Sequence, residues 1–174
     1  MNDFFLGVLT ALVLIPSALL SYFVLGFAPV RSDVAPAAIE TLVMGSALRA
    51  SIHRRASGMP PAPPVKEQML VAGGKLYVEG CAGCHGELGK PFQEDRAHYP
   101  PVPQLPHAGT QYSLPEVAWI IKHGIRFTPM SAYGRFYTED QVWALAAFVE
   151  QIDRIPAKTL GSILSKTPGD ASKN

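Results

Sequence analysis

The strongest pattern along the chain is an uninterrupted apolar run at its start. From Phe4 to Val30 there is no charged side chain. As one helix that run would span about 40 Å, against about 30 Å of hydrocarbon core. It predicts a single transmembrane anchor over residues 1–30, with Pro16 near its middle, where a membrane helix tolerates a kink. Tyr22, Phe23 and Phe27 approach the exit end, where aromatic rings favour the interface. A cleavable signal peptide is the alternative and would need a basic leader and an apolar core of about 7–15 residues. Met1-Asn2-Asp3 carries no basic side chain and the run is longer, so a retained anchor is expected.

Residues 31–65 read as a stalk. Ile39, Val43 and Ala47 recur at four-residue spacing beside Leu42, Met44, Leu48 and Ile52, which predicts a short helix. That helix would lie on the membrane or on the following domain, or dock a neighbouring subunit. Met59-Pro60-Pro61-Ala62-Pro63-Pro64 then forms an extended, semi-rigid spacer.

The periodicity from Lys66 to about residue 155 is that of a small helical domain. Met69, Gly73, Leu76, Tyr77 and Gly80 share one helical stripe ending at Cys81. Ser113-Leu-Pro-Glu116 is a capping box that opens a helix through Val117, Trp119, Ile120 and Ile121 to Gly124. Thr138-Glu-Asp-Gln141 opens another, with Val142, Leu145, Ala146 and Val149 on one face. Between the helix ending at Cys81 and the one opened by Ser113, residues 86–112 are rich in Gly and Pro, and so long a loop needs something to fix it. Residues 156–174 read as a polar, largely disordered tail.

Composition narrows the function. Hydrophobic residues make up 48% and charged residues 17%, so the apolar surplus belongs to the anchor rather than to an oversized core. A net charge of +1 excludes a protein held to nucleic acid by a basic field. Two cysteines exclude a disulfide scaffold, and both lie in Cys81-Ala82-Gly83-Cys84-His85.

Two thiols three positions apart, with an imidazole next to the second, match the signature of covalent haem c attachment. The sulfurs at Cys81 and Cys84 can meet the two vinyl groups of a porphyrin, and His85 can reach the iron as proximal ligand. A zinc site would need four protein ligands, drawing two of His98, His107 and His123 into the set. A thioredoxin-like pair would need a preceding strand, where this chain has a helix. Haem c is attached outside the bacterial cytoplasm. The expected location is therefore a single-pass protein of the bacterial inner membrane, N-terminus cytoplasmic and haem domain in the periplasm. Arg31, Arg49, Arg54 and Arg55 follow the span and favour the opposite orientation, but long domains translocate largely regardless of charge.

The segment Gly73-Gly-Lys-Leu-Tyr77-Val-Glu-Gly-Cys-Ala-Gly-Cys-His85-Gly86 resembles the opening of a class I monohaem cytochrome c. The resemblance continues through Pro115–Ile125 and Thr128-Pro-Met130 and ends in Thr138–Val149, covering residues 66–155. It implies an all-α fold: a single N-terminal transmembrane helix plus a small cytochrome c domain wrapped around one covalent haem c. It also implies that Gly73 and Tyr77 meet the C-terminal helix, opposite Trp143 and Phe148. Met130 becomes the distal axial ligand, a soft thioether that raises the iron's potential relative to bis-histidine ligation. The other ring nitrogen of His85 needs an acceptor, for which the family uses a proline carbonyl. In Tyr99-Pro-Pro-Val-Pro-Gln-Leu105 the expected residue is Pro101, with Pro100 second. Leu105, Trp119, Ile120, Ile125 and Phe127 are expected pocket walls. His98, His107 and His123 are read as surface or propionate-facing groups, with His123 the best rival ligand.

The function expected is electron transfer between redox partner proteins, without enzymatic chemistry in this chain. The protein would serve as a subunit of a respiratory or photosynthetic electron-transport complex. The alternative is a haem enzyme or gas-binding subunit with an open sixth position. Residues 66–174 carry 11 Lys/Arg and 11 Asp/Glu, so net charge does not select a partner. Lys122, Arg126 and Arg135 bracket the Met130 loop and could meet propionates or an acidic partner.

Overall fold

A computed structural model describes residues 2–31, 33–95, 98 and 100–165. The chain divides after Ala35 into two compact units. The first is a single helix, α1 (Asp3–Val24), exposed along its whole length and long and apolar enough to cross a membrane. Pro16 lies inside it and contributes no N–H to the helical ladder. The Thr10 and Ser17 hydroxyls donate back to the Leu6 and Val13 carbonyls at 2.8 and 2.7 Å, so neither depends on water.

The second unit is helical throughout, with no strand among the described residues. Its elements are α2 (Ala38–Ala56), α3 (Glu67–Gly80), the one-turn α4 (Ala82–His85) and α5 (Leu105–Ala108), α6 (Leu114–His123), α7 (Glu139–Glu150) and α8 (Ala157–Leu164). Both capping boxes form as the sequence implies. Ser113 and Glu116 close the start of α6, and Thr138 and Gln141 close that of α7, which satisfies N–H groups the helix itself leaves unpaired.

The core is α7 held between α3 and α6. Every side chain from Val142 to Val149 is buried, not only the face that periodicity marked. With a helix packed on either side of it, α7 has no wet face left. Its approach to α3 depends on Gly73, where a Cβ would run into the Ala144 carbonyl oxygen. Beside that contact the Tyr77 and Phe148 rings pack with centroids 5.4 Å apart, the meeting expected of Gly73 and Tyr77 with the C-terminal helix.

One segment departs from expectation. The stretch expected to be a disordered tail contains α8, which lies on α3 and buries Thr159 and Ile163. Gly74 makes room for it, since a Cβ there would collide with the Ile163 side chain. Residues 166–174 of that tail lie outside the described residues. The buried stripe of α3 is accordingly Leu70, Gly73, Gly74 and Tyr77, turned from the stripe expected because a second helix covers it.

The stalk helix takes one of the places expected of it, against the following domain. The second half of α2 packs on α6, with Ile52 fully buried and Ala56 buried beside it. The His53 Nδ1 lies 3.1 Å from Glu116 Oε1, so the capping carboxylate of α6 also meets α2. The Pro-rich spacer therefore runs between two helices of one unit.

Candidate functional site

The motif sits where α3 ends. Cys81 caps α3 through its N–H to the Tyr77 carbonyl, and Cys84 and His85 both donate back to the Cys81 carbonyl. Cys81 to His85 is thus one helical turn, in which residues three apart occupy the same side. Both cysteines are free. Gly86 ends the turn at φ +97°, a left-handed conformation in which a Cβ would press on the Gln104 side chain. The Tyr77 hydroxyl donates to the Gly86 carbonyl at 2.7 Å and contacts that of His85 at 3.1 Å, fastening the end of the turn to the core.

Burial pushes the Cys81 thiol up to about 11, and the neighbouring Cys84 adds to the shift. A dithiol redox pair works through a lowered thiolate pKa, which this environment opposes. The thioredoxin-like reading loses its chemistry here as well as its strand.

The His85 Nδ1–H donates to the Pro103 carbonyl at 3.0 Å, which corrects the expected acceptor, Pro101. Two pins on either side of Pro103 explain the choice. The Val102 N–H donates to Asp95 Oδ2 at 2.7 Å, and the Gln104 Nε2 donates to the Cys84 carbonyl at 3.1 Å. Gln104 is buried and reaches directly behind the motif, so the carbonyl just before it faces the imidazole. Tyr99, from the same segment, lies outside the described residues. The long loop is held by further side chains. His98 Nδ1 lies 3.1 Å from the Asp95 carboxylate, and the His107 Nε2–H donates to the Lys90 carbonyl at 3.0 Å.

Met130 lies in an irregular loop after α6 and is packed against the core. The Ile125 N–H donates to the Met130 carbonyl at 3.0 Å, folding the loop on itself. Thr128 staples its inside: the hydroxyl donates to the Ile125 carbonyl at 2.8 Å and accepts from the Met130 N–H at 3.1 Å. Gly124, at φ +67°, permits the close approach, because a Cβ there would come within 2.6 Å of the Met130 carbonyl oxygen. Phe127 also adopts positive φ (+63°) and is 93% exposed. Tyr133, three residues beyond Met130, lies near enough to both thiols that they add to burial in raising its pKa. Cys81, Met130 and Tyr133 all pack against the same hydrophobic core.

The donor set fits a haem c. It offers two unpaired thiols on one turn, an imidazole already oriented through one nitrogen, and a thioether on a loop packed against the same core. The rival ligands are engaged elsewhere: His98 with Asp95, His107 with Lys90, and His123 stacked on Trp119 at 4.9 Å between centroids. No cluster of three or more His, Cys, Asp or Glu positioned to hold a metal ion occurs among the described residues, which leaves the zinc reading without a site. A cavity of about 550 Å³ opens beside the motif, lined by Cys84, Lys90, Asp95, His98 and Val102 among others. Neither His85 nor Met130 lines it, so it belongs to the loop rather than to the axial positions. Of the three cations bracketing the Met130 loop, Lys122 is tied to Glu139 at 2.6 Å, leaving Arg126 and Arg135 exposed.

Sequence reasoning missed Thr128, Gln104 and Pro103. A Thr two residues before the Met was the available signal for the first, and the other two are set by the course of the loop. Residues 68–149 match the family model of cytochrome c oxidase, cbb3-type, subunit III. No curated protein and no solved structure matches the chain.

Proposed function

We propose that this class I c-type cytochrome, an all-helical electron-transfer domain behind one apolar helix, works as a fixed subunit of a membrane electron-transport complex. One haem c is attached through Cys81 and Cys84, with His85 and Met130 as its axial ligands. Bound there, the haem supplies one-electron cycling between ferrous and ferric iron. The chain's own part is positional. Pro103 orients His85, the Thr128 staple holds the Met130 loop, and α7 keeps the site on a rigid core. With both axial positions filled by side chains, no substrate bond is made or broken. Residues 1–30 anchor the chain in the bacterial inner membrane, N-terminus cytoplasmic and haem domain periplasmic.

The observation that carries this reading is the Cys81–His85 turn, with the His85 imidazole already oriented by the Pro103 carbonyl. The matching family's description, a subunit of a cytochrome c oxidase, favours an oxygen-reducing respiratory complex as the setting. The test is the optical spectrum of the intact chain. A weak far-red methionine-to-iron band in the ferric form and no carbon monoxide uptake by the ferrous form are expected. Ready carbon monoxide binding would instead support the open-site enzyme or gas-binding alternative. Mild-detergent extraction should yield the chain together with integral subunits.

A further inference from the structure

The second half of α2 has its partner in α6, but the first half has none among the described residues. Ile39, Leu42, Val43 and Met44 are 67, 65, 51 and 59% exposed. At about 100° per residue, Leu42, Ile39, Val43 and Met44 fan over roughly 200° of the helix. The rest of the circumference is Ala38, Thr41, Gly45 and Leu48, on the side that continues into the Ile52–Ala56 contact with α6, while Ser46, inside the arc, turns its hydroxyl back to the Val43 carbonyl at 2.9 Å. This part of α2 therefore lacks a polar face.

A flat lipid interface suits a helix with one apolar stripe opposite a strongly charged face. Laid on such a surface, this helix would keep either Leu42 or Met44 in water. A groove in a protein can enclose both. Glu40 points the same way. It lies within the apolar arc, between Val43 and Met44, where lipid would strand a carboxylate. It has no partner among the described residues, so a facing basic side chain would complement it.

The length of chain before α2 says where the partner lies. Only seven residues, 31–37, separate the apolar run from α2, and they reach at most about 25 Å. If the apolar run is anchored, the first half of α2 stays near the bilayer.

We infer that residues 38–48 of α2 seat in an apolar groove of an integral-membrane subunit, with a basic side chain facing Glu40. This rests on the fixed-subunit reading above. Because the other half of α2 is packed on α6, such a seat would hold the haem domain itself.

The test uses the full anchored, haem-loaded chain in its own membranes. Leu42→Asp with Met44→Asp, and separately Glu40→Lys, should reduce the integral polypeptide recovered per chain by about tenfold or more. Haem content and absorption spectrum should be unchanged, since none of these side chains is in the core. Photoreactive residues at 42 and at 44 should both form adducts with the same integral polypeptide. Undiminished recovery with the variants, while the native chain retains its partners, overturns this inference alone. Adducts with phospholipid only, from both positions, overturn it in favour of the bilayer. A native chain that leaves the membrane with no integral polypeptide overturns the fixed-subunit reading and this inference with it.

Discussion

Thr128 holds Met130 by its backbone: one hydroxyl accepts from the Met130 N–H at 3.1 Å and donates to the Ile125 carbonyl at 2.8 Å. Phe127, between them, sits at φ +63°, a conformation that costs a non-glycine residue about 1 kcal/mol or more. The two hydrogen bonds offset that strain and fix where the thioether is presented. Thr128→Val keeps the shape and removes the staple. It should lower stability by about 1–2 kcal/mol. It should also weaken the far-red ferric band and let ferrous protein take up some carbon monoxide, whereas Met130→Ala should abolish the band and lower the potential. A spectrum and potential unchanged in Met130→Ala would remove Met130 from the iron.

Tyr77 acts from the other side. Its ring is fully buried, and its hydroxyl serves the carbonyls just past the axial histidine. Burial raises its pKa, so it stays a neutral donor throughout the physiological range. Tyr77→Phe leaves the ring packing intact and should cost about 1–3 kcal/mol, read as a lower denaturation midpoint with an unchanged m-value.

Acid should loosen the join of α2 and α6. The hydrogen bonds from the Ser113 backbone and hydroxyl hold the Glu116 carboxyl below its ordinary 4.5, with a smaller contribution from His53. A carboxylate whose pKa is lowered by folding contributes stability above its unfolded value. That contribution is lost as pH falls below 4.5 and through the folded value. Stability measured between pH 7 and pH 3 should therefore drop in the native chain, and less steeply in Glu116→Gln. Equal slopes would mean that other carboxylates dominate.

Local chemistry was legible in the sequence wherever it is local in space. Both capping boxes and the turn Cys81–His85 follow from short-range pattern, the Gly73–Tyr77 seam on α7 was implied by the family resemblance, and the structure has all of them. Pro103 was not legible in place of Pro101, because its carbonyl is aimed by Asp95 and Gln104, which are set by the course of a loop. The complete burial of α7 and the turned stripe of α3 escaped for one reason. Periodicity reveals that a face is apolar but not how many neighbours will cover a helix. Gly74 is the position on α3 that admits Ile163, from a helix distant in sequence.

That contact makes α8 structural. Ile163 is buried against α3, and α8 has few other anchors. Ile163→Ala should cost about 2–4 kcal/mol if the site keeps its shape, and removing residues from 156 onward should cost at least as much. Thermal unfolding of the two variants checks this, and a truncation as stable as the native chain would show that α8 merely rests on the surface.

The Pro-rich run at 59–64 takes on a different meaning once α2 is seated on α6. It joins two helices of one unit, so it closes a loop instead of paying out a leash. Lengthening it changes a closure entropy that grows only logarithmically, about 0.6 kcal/mol for each doubling. Inserted Gly and Ser there should leave the domain's radius of motion untouched. Where α2 is released from its seat, as in Leu42→Asp with Met44→Asp, the same insertion among residues 31–37 should widen it, placing the adjustable length of the protein before α2 and not after it.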